Sequence, residues 1–112
     1  MSKYGSKKTI VNGITFDSKL EAKRYCELKF LLKGGVIKDL ELQPSFELQP
    51  SFKKNGKTIR AITYKADFSY YDNEKSKQVI EDTKGFKTKD YLIKKKMFEY
   101  KFPNLTIKEI TR

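Results

Sequence analysis

Residues 64–84 read Tyr64-Lys65-Ala66-Asp67-Phe68-Ser69-Tyr70-Tyr71-Asp72-Asn73-Glu74-Lys75-Ser76-Lys77-Gln78-Val79-Ile80-Glu81-Asp82-Thr83-Lys84. Two runs rich in Tyr, Phe, Val and Ile flank the polar stretch Asp72 to Ser76, which predicts a β-hairpin. On its second strand Asp82 and Lys84 lie two residues apart, so their side chains leave one face about 6–7 Å from each other. If Asp72 faces Lys77, an antiparallel register counted back along both strands sets Asp67 directly opposite Asp82, with Cβ atoms about 5 Å apart. The same register sets Lys84 opposite Lys65. A slip of one residue would send these side chains to the other face.

Two carboxylates at that spacing repel unless something positive lies between them, and a divalent cation is the natural candidate. Two acids and a lysine on one sheet face suit a Mg²⁺ site that hydrolyses phosphodiesters. A third acid comes from further back. Ser18-Lys19-Leu20-Glu21 has the capping-box pattern, Gly34-Gly35 closes the segment, and a helix is predicted from about Ser18 to Lys33. Glu21 shares a stripe with Tyr25, Leu28 and Leu32, so it faces the sheet and needs a partner there. Capping alone would also account for Glu21, and solvated acids on an exposed sheet face would account for Asp67 and Asp82.

Working outward, Thr9-Ile10-Val11 and Ile14-Thr15-Phe16 flank Asn12-Gly13 and predict a small type I′ hairpin. Strand signals run from Val36 to Phe46, at Phe52, and from Thr58 to Tyr71 after Asn55-Gly56. Lys77 to Lys84 completes the central hairpin. A second helix is expected from Thr88 or Lys89 to about Lys101, with Asp90 near its positive end and Pro103 beyond its stop. Leu105 to Ile110 reads as a last short strand. The order is helix, three strands, helix, strand, an α/β domain with a mixed sheet flanked by helices. The repeated Leu42-Gln43-Pro44-Ser45-Phe46 and Leu48-Gln49-Pro50-Ser51-Phe52 reads as an irregular or edge strand, because two prolines disfavour a central one.

The 112 residues suit one domain, with residues 1–8 a basic arm. The 38% hydrophobic content, with 8 Phe and 7 Tyr, argues for a folded chain. Against 14 acidic residues stand 25 basic ones, a net +11 that points to a polyanionic partner, nucleic acid ahead of an anionic membrane. No apolar run approaches the roughly 18–20 residues of a membrane span, and no signal peptide precedes the chain, so a cytoplasmic location is expected. The single cysteine, Cys26, cannot form an internal disulfide and reads as a small buried residue. Histidine is absent, which excludes Ser-His-Asp and Cys-His catalysis, HNH-type nucleases and His-ligated zinc. Chemistry must come from carboxylates, lysines, hydroxyls and a hard metal.

These residues together resemble the PD-(D/E)XK nuclease superfamily, and more narrowly a family of small phage-encoded Holliday-junction-resolvase-like proteins known chiefly as a domain of unknown function. The resemblance is carried by Tyr4-Gly5 to Lys8, Phe16-Asp17-Ser18-Lys19 with Glu21-Ala22, Leu42-Gln43-Pro44, Tyr64 to Phe68, and Glu81-Asp82-Thr83-Lys84-Gly85-Phe86. It implies a restriction-endonuclease-like αβββαβ core and a Mg²⁺-dependent DNA endonuclease, with Mn²⁺ able to substitute. The substrate would be branched DNA in phage replication or recombination, in a bacterial host cell. Glu21 would be the helix-borne acid, Asp67 the central metal ligand, Asp82 the second ligand, and Lys84 the lysine that orients the attacking water. The Thr83 carbonyl is a further candidate ligand. The strand acid is aspartate where glutamate is commoner; Glu81 stands beside it, but strand parity sends Glu81 to the opposite face unless a bulge intervenes.

Lys87, Lys89, Lys94, Lys95 and Lys96 follow the site within about three helical turns and are expected at DNA phosphates, with Lys7, Lys8, Lys19 and Arg24 extending the footprint. Tyr91, Phe98 and Tyr100 read as core. Cutting two strands symmetrically would favour a homodimer. A nicking or transposase-like nuclease, and a catalytically silent DNA- or RNA-binding module of the same fold, are the competing readings.

Overall fold

The computed structural model describes residues 8–84 and 87–111. Strands β1 (Thr9–Val11) and β2 (Ile14–Phe16) pair around Asn12 and Gly13, both at positive φ (51° and 78°) as a type I′ turn requires. Helix α1 (Lys19–Lys33) opens with the Ser18 hydroxyl accepting from the Glu21 amide. It closes in a Schellman motif: Val36 donates to the Leu31 carbonyl and Gly35, at φ 77°, to that of Leu32.

Eight further strands follow: β3 (Ile37–Leu42), β4 (Ser45–Gln49), β5 (Phe52–Lys54), β6 (Lys57–Ile59), β7 (Ile62–Lys65), β8 (Phe68–Asp72), β9 (Lys77–Thr83) and, after helix α2 (Lys89–Lys101), β10 (Ile107–Ile110). Four of them form the main sheet in the order β10-β9-β8-β3. The β3-β8-β9 part is antiparallel, while β10 runs parallel to β9, with α2 making the crossover between them. The fold is therefore mixed α/β.

The stretch from Thr58 to Tyr71, expected as one strand, is three. β6 pairs with β5, β7 with β4, and β8 with both β3 and β9. The chain changes partners at Ala66-Asp67, where the Ala66 amide reaches the Pro44 carbonyl and the Asp67 carbonyl accepts from Gln43. Hydropathy cannot register such a change, because every piece remains strand-like. The two copies of the Leu-Gln-Pro-Ser-Phe repeat also part ways. Pro44 is buried and Phe46 packs against the core beneath α2, whereas Phe52 is exposed.

Side-chain alternation divides the core into two layers. Val79 of β9, Phe68 and Tyr70 of β8, and Ile37 of β3 meet Ala22, Tyr25 and Leu28 of α1. On the other face Ile80 and Ile107 meet Tyr64, Tyr91 and Phe98, with α2 above them. Tyr100, expected in the core, is 90% exposed, because its position on α2 turns away from the stripe that carries Tyr91 and Phe98. Cys26, expected to be buried, is exposed as well, at the edge of the face of α1 that buries Ala22 and Tyr25. Among the described residues no helix is long and apolar enough to cross a membrane.

Candidate functional site

β8 and β9 pair from Phe68–Glu81 to Asp72–Lys77, the register expected from the turn. Asp67 lies one residue beyond this ladder, and its amide donates to the Glu81 carbonyl. Its carboxylate is held by Thr83: Oδ2 accepts from the Thr83 amide (2.7 Å) and hydroxyl (2.6 Å). Asp67 is thus anchored to the residue between Asp82 and Lys84. The Thr83 carbonyl was expected as a further ligand; its amide and hydroxyl have a separate part, orienting Asp67.

Asp82 is 2% exposed. One carboxylate oxygen, Oδ1, lies 3.1 Å from Lys84 Nζ, and the other accepts from the Tyr64 hydroxyl. Lys84 also sits over the Tyr91 ring, 4.1 Å from its centroid, so an aromatic face and a carboxylate fix its ammonium. Glu21, at the start of α1, is 4% exposed. Burial and the nearby Asp67 charge push its carboxyl up to about 7, against an opposing hydrogen bond from the Asp17 backbone. Burial, followed by the same Asp67 charge, pushes Asp82 up to about 7, with Tyr64 and Lys84 opposing. Burial and the bond to Asp82 raise the Tyr64 hydroxyl well above its ordinary range.

Two clefts of opposite character flank these residues. One of about 210 Å³ is lined by Glu21, Asp67, Gln43, Leu42 and the β2 residues Ile14, Thr15 and Phe16. The other, of about 280 Å³, is lined by Lys84, Lys65, Lys94, Tyr64, Tyr91, Thr63 and Asp90. The first offers carboxylates and the second ammonium groups. Only hard oxygen donors occur in the first, a donor set that suits Mg²⁺ and not a thiophilic metal. Among the described residues no three His, Cys, Asp or Glu side chains gather closely enough to hold a metal ion as they stand. The partners found for Asp67 and Asp82 explain this, since Thr83, Tyr64 and Lys84 draw the two carboxylates to internal donors. Thr83 takes both lone pairs of Asp67 Oδ2, so ligation there falls to Asp67 Oδ1, while each oxygen of Asp82 keeps a second lone pair beside Lys84 or Tyr64.

Glu81 points the other way. Fully buried beneath α1, it receives Nε and one terminal nitrogen of Arg24 at 2.8 and 2.7 Å and the Tyr70 hydroxyl as well. The other terminal nitrogen of Arg24 meets Glu27 at 3.0 Å. Arg24, expected on the nucleic-acid footprint, is therefore corrected to an internal residue that joins α1 to β9. Its guanidinium, held mainly by Glu81, stays protonated at any accessible pH.

Among the lysines, Lys94 lines the basic cleft, and Lys19 and Lys89 are exposed. Lys8 lies 3.9 Å from Asp17 in an exposed pair, and Lys7 falls outside the described residues, as does most of the basic arm. Lys87 and Lys95 converge instead on Glu109 of β10, at 2.9 and 3.3 Å, where the Tyr91 hydroxyl also donates at 2.7 Å. Tyr91, with the two lysines behind it, pulls the Glu109 carboxyl down to about 2. Sequence reading missed Tyr64, Tyr91 and the Thr83 side chain. Tyr91 read as an ordinary core aromatic and Tyr64 as one residue of a strand, and only their hydroxyl and ring partners distinguish them.

A family model described as a protein of unknown function, DUF1064, matches residues 1–112. The chain belongs to the DUF1064 family. No curated protein and no solved structure matches it. What a DUF1064 member can do must therefore be argued from this site, where buried acids and a fixed lysine border two oppositely charged clefts.

Proposed function

We propose that this protein is a Mg²⁺-dependent DNA endonuclease of the PD-(D/E)XK superfamily, acting on branched DNA as a Holliday-junction resolvase does. The observation that carries the reading is the placement of Asp67, Thr83 and Lys84 between an acidic and a basic cleft. The sequence of α1, the antiparallel strands β3, β8 and β9, then α2 and the parallel strand β10, agrees with the αβββαβ core expected of that superfamily.

Glu21, Asp67 and Asp82 are the residues to hold the cation. Bound there, Mg²⁺ would supply Lewis-acid polarisation of a phosphate and a more acidic water. The chain's own residues do the rest. Thr83 fixes the orientation of Asp67, Tyr64 that of Asp82, and the Tyr91 ring that of Lys84. Lys84 lies where it can hold the attacking water or stabilise charge gathering on the phosphate oxygens. Lys65 and Lys94 border the same cleft and would receive the flanking phosphates. Symmetric cutting of a four-way junction would need two such sites, hence a homodimer.

A catalytically silent DNA-binding module is the second reading, favoured by one observation: both oxygens of Asp82 are engaged by Lys84 and Tyr64. Incubation with linear, nicked, forked and four-way DNA in Mg²⁺ separates the two. Cleavage that EDTA abolishes supports the enzyme; binding without a cut product on any substrate supports the module. Nicking of linear duplex alone would favour a transposase-like nuclease.

A further inference from the structure

The β5–β6 hairpin belongs to neither core layer. Among the described residues its strands pair only with each other, as Phe52–Ile59, Lys53–Thr58 and Lys54–Lys57, and all six residues are exposed. Asn55 and Gly56, at φ 51° and 77°, form a tight tip. The ribbon continues the β4–β7 pair, whose Thr63, Tyr64 and Lys65 border the basic cleft. Between Glu47 and Asp67 the chain carries Lys53, Lys54, Lys57, Arg60 and Lys65 and no acid.

An isolated two-stranded ribbon is marginal in water, and this one places Lys54 directly opposite Lys57, a like-charge pair that is destabilising by itself. Phe52 and Ile59 are 43% and 40% exposed on the same face as that pair. The two apolar side chains gain nothing from solvent exposure, and the two ammonium groups beside them repel each other until an anion lies between them. Such a face suits a polyanion that presents phosphates beside the thymine methyl groups of a major groove.

We infer that the β5–β6 ribbon is a DNA-duplex-reading arm that enters the major groove of the duplex flanking the scissile site. A B-form major groove, about 12 Å wide, admits a two-stranded ribbon, whereas the A-form major groove of duplex RNA is too deep and narrow for side chains. From Lys57 to Lys65 the chain runs through β6 and then β7 and spans at most about 26 Å at roughly 3.3 Å per residue, so the tip reaches duplex up to some seven or eight base pairs from the cleft. This rests on the nuclease reading for what happens at the cleft, but not for the binding itself.

The test compares the wild-type chain with the variant Lys53→Gln, Lys54→Gln, Lys57→Gln, Arg60→Gln by fluorescence anisotropy in EDTA. The probes are a DNA duplex of about 24 base pairs, its single strand and the matching RNA duplex, across about 50–200 mM salt. The expected result is a 10- to 100-fold loss of DNA-duplex affinity and a salt slope shallower by about 2–4, from the phosphate contacts removed. Restoring charge with Arg at 53, 54 and 57 should recover most of that affinity, which separates the effect from misfolding. Unchanged duplex affinity and slope, an equal loss on the RNA duplex, or a change in the DNA-free oligomeric state would each overturn the arm. Because EDTA removes cleavage from the readout, the two readings fail separately. An inert protein with ribbon-dependent binding sinks the nuclease alone, and a cleaving protein with ribbon-independent binding sinks the arm alone.

Discussion

Lys84 Nζ lies 3.1 Å from Asp82 Oδ1, two residues further along the chain and one past the end of β9, with the Tyr91 ring beneath it. The strand pleat brings the two side chains to one face, and α2 supplies the aromatic that keeps the ammonium there. An exposed pair of this kind would matter little. Here the carboxylate is buried, and the lysine opposes the burial and Asp67 charge that push it toward protonation.

Lys84→Ala should abolish cleavage of branched DNA, by about 10³-fold or more, while leaving the thermal midpoint near that of the wild type. Gel-resolved cleavage in Mg²⁺ and a thermal melt provide the two readouts. Cleavage at the wild-type rate would remove Lys84 from the chemistry.

Arg24→Ala should destabilise the fold by about 3–5 kcal/mol, because it strands the fully buried Glu81 without its bidentate partner. Urea denaturation measures this. Glu81→Gln should cost less, since the amide can still accept from Tyr70 and Arg24. A loss below about 1 kcal/mol for Arg24→Ala would return the residue to the surface and to the DNA footprint.

Without metal, stability should fall as pH rises from about 5 to 8. Glu21 and Asp82 have folded-state values near 7, above their ordinary ones, so the native state binds more protons than the unfolded chain across that window. Their contribution is fully present below the unfolded values and is lost as pH climbs through 7. Glu109, held near 2, acts oppositely and only in acid, losing its contribution as pH falls below about 4.5. Mg²⁺ should therefore raise the melting temperature more at pH 8 than at pH 5. A Mg²⁺ shift that is the same at both pH values would contradict the carboxylate site.

Cys26 should react promptly with a thiol reagent in the native protein, without loss of fold, because α1 turns it outward. Labelling that requires denaturant would contradict that orientation.

Much of the central hairpin could be read from residue order. The polar turn at 72–76 fixes the register, and alternation then separates Glu81 from Asp82. The capping serine and the paired glycines bounded α1 because their chemistry is local. The break at Ala66-Asp67 was invisible, since it exists only where the Pro44 and Gln43 backbone meets it. Arg24 misled for a similar reason. A lone arginine on a basic chain reads as surface until a buried carboxylate on another element is found to hold it. Tyr100 shows the limit of spacing: a position shared in sequence with Tyr91 and Phe98 did not share their burial.

By itself the sequence determined the alternation of elements, the turns, the hairpin register and the faces of Asp82, Glu81 and Glu21, all set by contacts a few residues long. Only the tertiary structure decided which charges are free. Partner choice is a long-range matter of burial. Glu81 captures Arg24, Glu109 captures Lys87 and Lys95, Thr83 captures Asp67, and Lys65 and Lys94 stay at the open cleft. A buried carboxylate must find its donor wherever the fold brings one, and no spacing along the chain records that.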